Sequence, residues 1–390
     1  MAYDFDAPID RRGTGCEKWD NMTPVFGRGD LLAFWVADMD FKTAPEIVDA
    51  LREKVSSGVF GYPLMTDSAR ESVANWLETR HGFSVDASDV GFSPGVITSL
   101  SVAVQTFTEP GDGVVIQTPA YPQFFSIVKR NDRTVVENPL KETADSYEMD
   151  YDNLREILTP NVKAMFLCSP HNPVGRVWRA DELKRLAEIC GERGVVILSD
   201  EIHHDITFDG ARHVPFQLAV PESSPLSIIF MAPSKTFNVA GLCGSAWLSK
   251  DKKIAARMQK ALVSVHCSEV NMIALAALEA AYGRGAPWLD SLTAYLRSNR
   301  DLVVKFLRER LTKAKMKHQE GTFISWLDFR GYGLSGKELQ ETLVQKARVA
   351  LNPGVAFGKD YGAFARLNIG CPKATLEEGL ARIGDAFAGL

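Results

Sequence analysis

Between about residues 90 and 231 the chain alternates short apolar runs with stretches at helical spacing. The runs lie at 114–116, 134–136, 162–168, 195–198 and 226–231, and residues 181–190 between them carry apolar positions with a helical period. Such alternation predicts an α/β unit with a largely parallel sheet, whose functional residues collect beyond the carboxyl ends of the strands. Upstream, residues 1–42 show no period and read as an extended arm. Thr43 with Glu46 has the spacing of a capping box, and Ile47, Val48, Leu51 and Val55 follow at helical spacing until Gly58. A second such box, Ser68 with Glu71, opens a predicted helix carrying Val73, Trp76 and Leu77 and ending at Gly82, with Gly61-Tyr62-Pro63 as the loop between the two.

The pattern changes near residue 285. Gly283-Arg284-Gly285-Ala286-Pro287 is a cluster of helix breakers, and Leu292, Leu296, Val303, Phe306, Leu307 and Leu311 follow it at roughly helical spacing. A helix over 290–315 would be about 39 Å long, enough to link two domains. The remainder, with an apolar run at 323–329, helical patterns at 339–346 and 375–388 and a strand-like 364–369, predicts a smaller α+β unit. The expected division is a large domain over 49–285, with the arm 1–48 and residues 286–390 forming the small one.

Composition narrows the function classes. With 390 residues, 45% hydrophobic and 24% charged, the chain is long enough for two cores and has an ordinary globular balance. A net charge of -5 gives no global attraction to nucleic acid. The six cysteines are scattered without a CxxC pair, so neither a disulfide framework nor a zinc site is expected. The acidic start and the lack of a long apolar run predict a cytoplasmic protein that does not enter membranes. Gly331-Tyr332-Gly333-Leu334-Ser335-Gly336 matches a dinucleotide fingerprint, but no second strand with an acidic end follows it. It reads as a turn leading into a capping box of Ser335 with Glu338. His204 and Asp205 suggest a metal pair only weakly, because adjacent side chains are expected to diverge, and no metal is expected.

Four predicted strand-end loops carry chemistry: Tyr121 in Pro119-Ala120-Tyr121, Asn172 in Ser-Pro-His-Asn-Pro-Val-Gly, Asp200 in Ser-Asp-Glu-Ile-His and Lys235 in Ala-Pro-Ser-Lys-Thr-Phe-Asn. Singly, each has a plain alternative: a core aromatic, an Asn-Pro turn, a helix cap, a surface lysine. Together they supply what pyridoxal 5'-phosphate needs, namely a lysine for the Schiff base, a carboxylate for the ring nitrogen and groups that hold the ring. A glycine-containing helix start at Ser93-Pro94-Gly95-Val96-Ile97 offers N–H groups to a phosphate.

In the order and spacing of Asn172, Asp200, Lys235 and Arg366, the last in Ala-Arg-Leu-Asn-Ile-Gly, the sequence resembles the fold-type I pyridoxal-phosphate enzymes of the class I/II aminotransferase group along nearly its whole length. The resemblance implies the aspartate aminotransferase fold, with a mostly parallel seven-stranded sheet in the large domain. It implies that Lys235 holds the cofactor and moves the Cα proton, Asp200 pairs with the ring nitrogen, Tyr121 stacks on the ring, and Asn172 and His203 reach the phenolic oxygen. Gly95, Val96, Ile97 and Ser234 would hold the phosphate, Arg366 and Asn172 the substrate carboxylate, and Ala37 and Asp38 would lie beside the substrate. Tyr62 would reach in from a second subunit, which implies a homodimer with shared active sites.

Many members carry an arginine eight residues after the lysine, where this chain has Cys243. With Asp38-Met39-Asp40-Phe41, Gly58 to Tyr62, Ser199 to His203 and Gly285 to Leu289, the chain looks like the MalY/PatB cystathionine β-lyase subfamily. That resemblance implies β-elimination from L-cystathionine or a related S-substituted cysteine. An amino-acid aminotransferase and a non-catalytic sensor with the same fold are the competing readings.

Overall fold

A computed structural model describes residues 3–220 and 226–390. The strands of the main sheet are β1 (Val90–Ser93), β2 (Gly113–Ile116), β3 (Thr134–Glu137), β4 (Val162–Cys168), β5 (Val196–Asp200), β6 (Ser227–Met231) and β7 (Ser245–Leu248), in spatial order β1-β7-β6-β5-β4-β2-β3. All neighbours are parallel except around β7, which runs antiparallel to both β1 and β6. The apolar runs are continuous because both faces of the sheet are covered. Val114, Phe166, Leu198 and Phe230 pack into one core, and the alternate residues Val115, Met165, Ile197 and Ile229 pack into the other. The expected seven-stranded α/β fold is present. β1 and β7 are the two strands that the apolar pattern did not announce, since each is four residues long and holds serine or glycine.

Several helix starts differ from expectation for local reasons. The first long helix, α1 (Pro45–Ser56), has Ala44 at its N-cap and proline in its first turn, so the fixed proline φ does the work of a cap. Thr43 instead donates its hydroxyl to the Phe237 carbonyl at 2.6 Å, tying this helix to the loop after Lys235. The next, α2 (Asp67–His81), is capped by Thr66, which accepts from the Ala69 amide, while Ser68 donates to Glu279. Ser335 and Glu338 do form the reciprocal capping box, and the preceding glycines form a turn.

The long helix starts in the breaker cluster itself and spans Ala286–Arg310 rather than 290–315. Proline is tolerated in its first turn, where no intrahelical acceptor is lost. Gly285 caps it because space is lacking: a Cβ there would lie 2.3 Å from the Phe237 ring. The predicted helix at 339–346 is α-helical over Gly336–Glu341 and widens to a π-turn over Thr342–Lys346. In the C-terminal part, β8 (Ile324–Asp328) and β9 (Asn352–Pro353) both pair antiparallel with β10 (Phe364–Asn368), and helix Lys373–Phe387 follows. Leu32 and Ala33 of the arm pair with Val349 and Ala350.

Candidate active site

Because β1 runs in the same direction as β6, the carboxyl ends of β1, β2, β4, β5 and β6 lie along one edge of the sheet, together with the start of β7. A cavity of about 340 Å³ opens there. It is lined by Tyr121 from beyond β2, Asn172 from beyond β4, Asp200 at the end of β5, His203 just after it, and Ser234 and Lys235 from the short helix Pro233–Thr236 after β6. Gly95, Val96 and Ile97 line it at the start of helix α3 (Val96–Phe107), and Ala37 closes it from the arm.

Lys235 is partly buried and donates through Nζ to the Ala37 carbonyl at 2.6 Å. Burial lowers its ammonium to about 8, with Arg366 adding to the fall and Asp38 and Asp200 opposing it. The amine therefore loses its proton far more readily than a surface lysine. Asp200 is buried, and Oδ1 accepts from the Ile202 amide at 3.1 Å. Burial pushes its carboxyl up to about 7, which a protonated ring nitrogen facing it would reverse. His203 is buried, and burial, followed by the charges of Lys235 and Arg366, holds its pKa far below the usual histidine range. It is a neutral imidazole whose Nδ1 has no protein partner.

The opposite end of the cavity suits an anion. Gly95 is the N-cap of α3 and offers no side-chain acceptor to the first-turn N–H groups. A Cβ at Gly95 would meet no protein atom within 4 Å, so the space over these N–H groups is open. Among the described lining residues the only lysine or arginine is Lys235, and Cys243 stands exposed on the wall with a left-handed φ of 57°. Pyridoxal 5'-phosphate fits these donors: an orphaned imidazole nitrogen, a desolvated carboxyl, an amine and an open helix start.

Arg366, on β10, is buried just outside this cavity and bridges to it through Asn172, whose Oδ1 accepts from Nη1 at 3.2 Å. Nη2 donates to the Trp35 carbonyl at 2.9 Å and to Asn352 at 2.7 Å, and the guanidinium lies over the Phe357 ring. Burial brings its pKa down to about 10, and Nε has no partner. The Asp38 carboxylate is held by Arg11 at 2.6 Å, in a network with Lys18 and Asp40. Tyr62 is fully exposed at 104% and lies outside the cavity of its own chain.

The sequence reading missed two asparagines that fix the arm over the site. Asn238 donates to the Met39 and Phe41 carbonyls and accepts from the Met39 amide. Asn368 donates to the Val36 and Asp38 carbonyls, each at 2.6 Å. The left-handed φ of 56° at Asn238 is a conformation asparagine favours, and is the one local signal available. The divergence expected of His204 and Asp205 does not occur. They sit in a turn, where strand alternation does not apply, and His204 Nε2 lies 3.0 Å from Asp205 Oδ2 with His81 beside them.

The family model for aminotransferases of class I and II matches residues 30–383. The chain is 42% identical over 385 residues to cystathionine beta-lyase PatB of Bacillus subtilis (strain 168), covering 98% of this chain and 100% of that one. It is 36% identical over 388 residues to protein MalY of Escherichia coli (strain K12), covering 99% of each. Cystalysin from Treponema denticola, whose crystal structure contains a pyridoxal 5'-phosphate cofactor, superposes with a TM-score of 0.94 at 33% identity over 100% of both chains. The chain therefore belongs to the aminotransferase class I and II family, within its MalY/PatB subfamily.

Proposed function

We propose that the protein is a pyridoxal-phosphate-dependent carbon–sulfur β-lyase acting on L-cystathionine or a related S-substituted L-cysteine. With one water, cystathionine would yield homocysteine, pyruvate and ammonia. The observation that carries the reading is Lys235: a lysine whose pKa burial brings to about 8, aimed into a cavity that also holds Asp200 and the open start of α3. Full-length kinship to proteins named as cystathionine β-lyases supplies the choice of reaction.

The bound cofactor supplies an electron sink conjugated to the substrate Cα. Arg366 binds the substrate α-carboxylate through its guanidinium, prepositioned by Trp35, Asn352 and Asn172. Lys235, whose amine lines the cavity, would hold the cofactor and take the Cα proton as general base. Asp200 would keep a proton on the ring nitrogen, while Asn172 and His203 would hold the phenolic oxygen and Tyr121 would cover the ring. Gly95, Val96, Ile97 and Ser234 would hold the phosphate, and Ala37 and Asp38 would border the substrate. With a thiolate on Cβ, whose conjugate acid has a pKa of about 8.5, the electron pair leaves on sulfur.

The same reading gives the protein a cytoplasmic, homodimeric form. Val59, Phe60, Tyr62 and Leu64 expose a run of apolar surface on one loop. A second copy of the chain would cover it and bring Tyr62 to the partner's phosphate site. Among the described residues no helix is long and apolar enough to cross a membrane. The division into a large domain over 49–285 and a small one from 1–48 and 286–390 belongs to the same proposal. The test is a substrate panel of cystathionine, cystine and S-alkyl cysteines, each with and without a 2-oxo acid. Pyruvate and thiol without the oxo acid support the lyase, and turnover only with it supports an aminotransferase.

A further inference from the structure

Asp205 is buried outside the lining of the cavity, and both of its carboxylate oxygens accept hydrogen bonds. Oδ1 accepts from Trp76 Nε1 and His81 Nε2, both at 3.0 Å. Oδ2 accepts from the Thr236 hydroxyl at 2.7 Å and faces His204 Nε2 at 3.0 Å. Three donors, an indole N–H, an imidazole and a threonine hydroxyl, thus share the carboxylate, and His204 lies against it. Two of those donors, an indole N–H and a threonine hydroxyl, do not act as metal ligands in the usual sets, so the His81, His204 and Asp205 cluster is a hydrogen-bonded hub rather than a cation site.

The neighbours of the hub also bear on its charge. His204 Nδ1 lies 2.6 Å from the Glu201 carbonyl, so its N–H points at that oxygen and Nε2 is turned toward Asp205. Burial opposes charge on both partners, yet their pairing raises His204 and holds Asp205 far below the carboxylate range. Burial lowers His81, which donates as a neutral ring. His213 is occupied by Glu201 at 2.8 Å, and the buried Tyr282 ring packs on Trp76.

The position of this hub in the chain gives it a use. Residues 200–205 run from the last residue of β5 into the turn beyond it and carry Asp200, His203 and Asp205, and Thr236 is the residue immediately after Lys235. We propose that Asp205 is a positioning residue, and that its bond to Thr236 is the strut that fixes the Lys235 turn against the loop holding Asp200 and His203. A displacement of about 1 Å between such groups costs on the order of 100-fold in rate.

The test compares Thr236→Val, which removes the hydroxyl at nearly constant volume, with Thr236→Ser, which keeps it. Both are made as holoenzyme and checked for cofactor content and thermal unfolding. The valine variant is expected to lose about 10- to 100-fold in kcat with KM within about twofold. It is also expected to show a weakened visible circular dichroism band from the bound cofactor at full cofactor content. The serine variant is expected to restore both. Should the valine variant fail to fold, Thr236→Cys takes its place under the same criteria. The inference rests on the proposed function only for its substrate, and the dichroism needs none, so failure of cystathionine cleavage and failure of the strut are distinguishable. Wild-type kcat and dichroism in the valine variant would overturn the proposal. So would one equivalent of zinc per wild-type protomer that is lost in Asp205→Asn.

Discussion

Arg366 Nη1 donates to Asn172 Oδ1 over 3.2 Å, so the group proposed to bind the substrate carboxylate is joined to a residue lining the cavity that also holds Lys235. Removing the guanidinium leaves the Asn172, Asn352 and Trp35 oxygens without their donor and the carboxylate without its clamp. Arg366→Ala is expected to lower kcat/KM by roughly 10- to 100-fold, in line with about 1.5–3 kcal/mol for hydrogen bonds to charged groups. The loss should fall chiefly on KM. Steady-state kinetics with saturating cofactor checks it.

Asp200 and Lys235 contribute opposite slopes to the pH response of the cofactor-free protein. The folded chain binds the Asp200 proton more tightly than the unfolded one, so stability falls as pH rises from the ordinary carboxylate range to about 7. Lys235 has the opposite sign: the folded chain releases its proton first, so stability rises from about pH 8 toward the ordinary lysine range. Because the lowered His171 and His203 oppose the Asp200 slope, its contribution is read as the difference in urea unfolding across pH between the cofactor-free wild type and Asp200→Asn. Asp200→Asn is expected to remove that acid-side contribution and leave the alkaline one.

Tyr62 is exposed at 104% and absent from its own chain's cavity, and in the proposed homodimer it would serve the partner's site, which predicts complementation between chains. Hybrids of Lys235→Ala chains with Tyr62→Ala chains should recover activity that neither parent shows. Mixing and refolding the two at equal amounts, then assaying, is the measurement. Hybrids no more active than the parents would remove Tyr62 from the shared site.

Gly285 tests the packing between the long helix and the Lys235 loop. Gly285→Ala places a Cβ 2.3 Å from the Phe237 ring, which itself stacks on Trp288. Overpacking of this kind costs about 1–3 kcal/mol, so the midpoint of urea unfolding should fall with little change in slope.

The strands that position the site were legible because burial on both faces leaves continuous apolar runs, as in 162–168 and 226–231. Tyr121, Asn172, Asp200 and Lys235 stood out because each lies at or just after the end of such a run, and the structure brings all four to one cavity. β1 and β7 were not, since four residues with Gly91, Ser93 and Ser245 carry too little apolar signal. The caps at Thr66 and Pro45 differed from the predicted boxes by one or two positions, because a proline φ or a neighbouring hydroxyl served equally well. Asn238, Asn368 and Asp205 escaped because their partners lie far along the chain: 199 residues separate Asn238 from Met39, and 31 separate Asp205 from Thr236.

The central claim is that Lys235 moves the Cα proton of an S-substituted cysteine whose sulfur then leaves. The most direct measurement is pyruvate and homocysteine release from L-cystathionine by the purified holoenzyme with no 2-oxo acid, run beside Lys235→Ala. Equal amounts of the two products from the wild type, and none from a folded Lys235→Ala, are predicted. Product formation by Lys235→Ala at the wild-type rate, or wild-type turnover that appears only when an oxo acid is added, would contradict it.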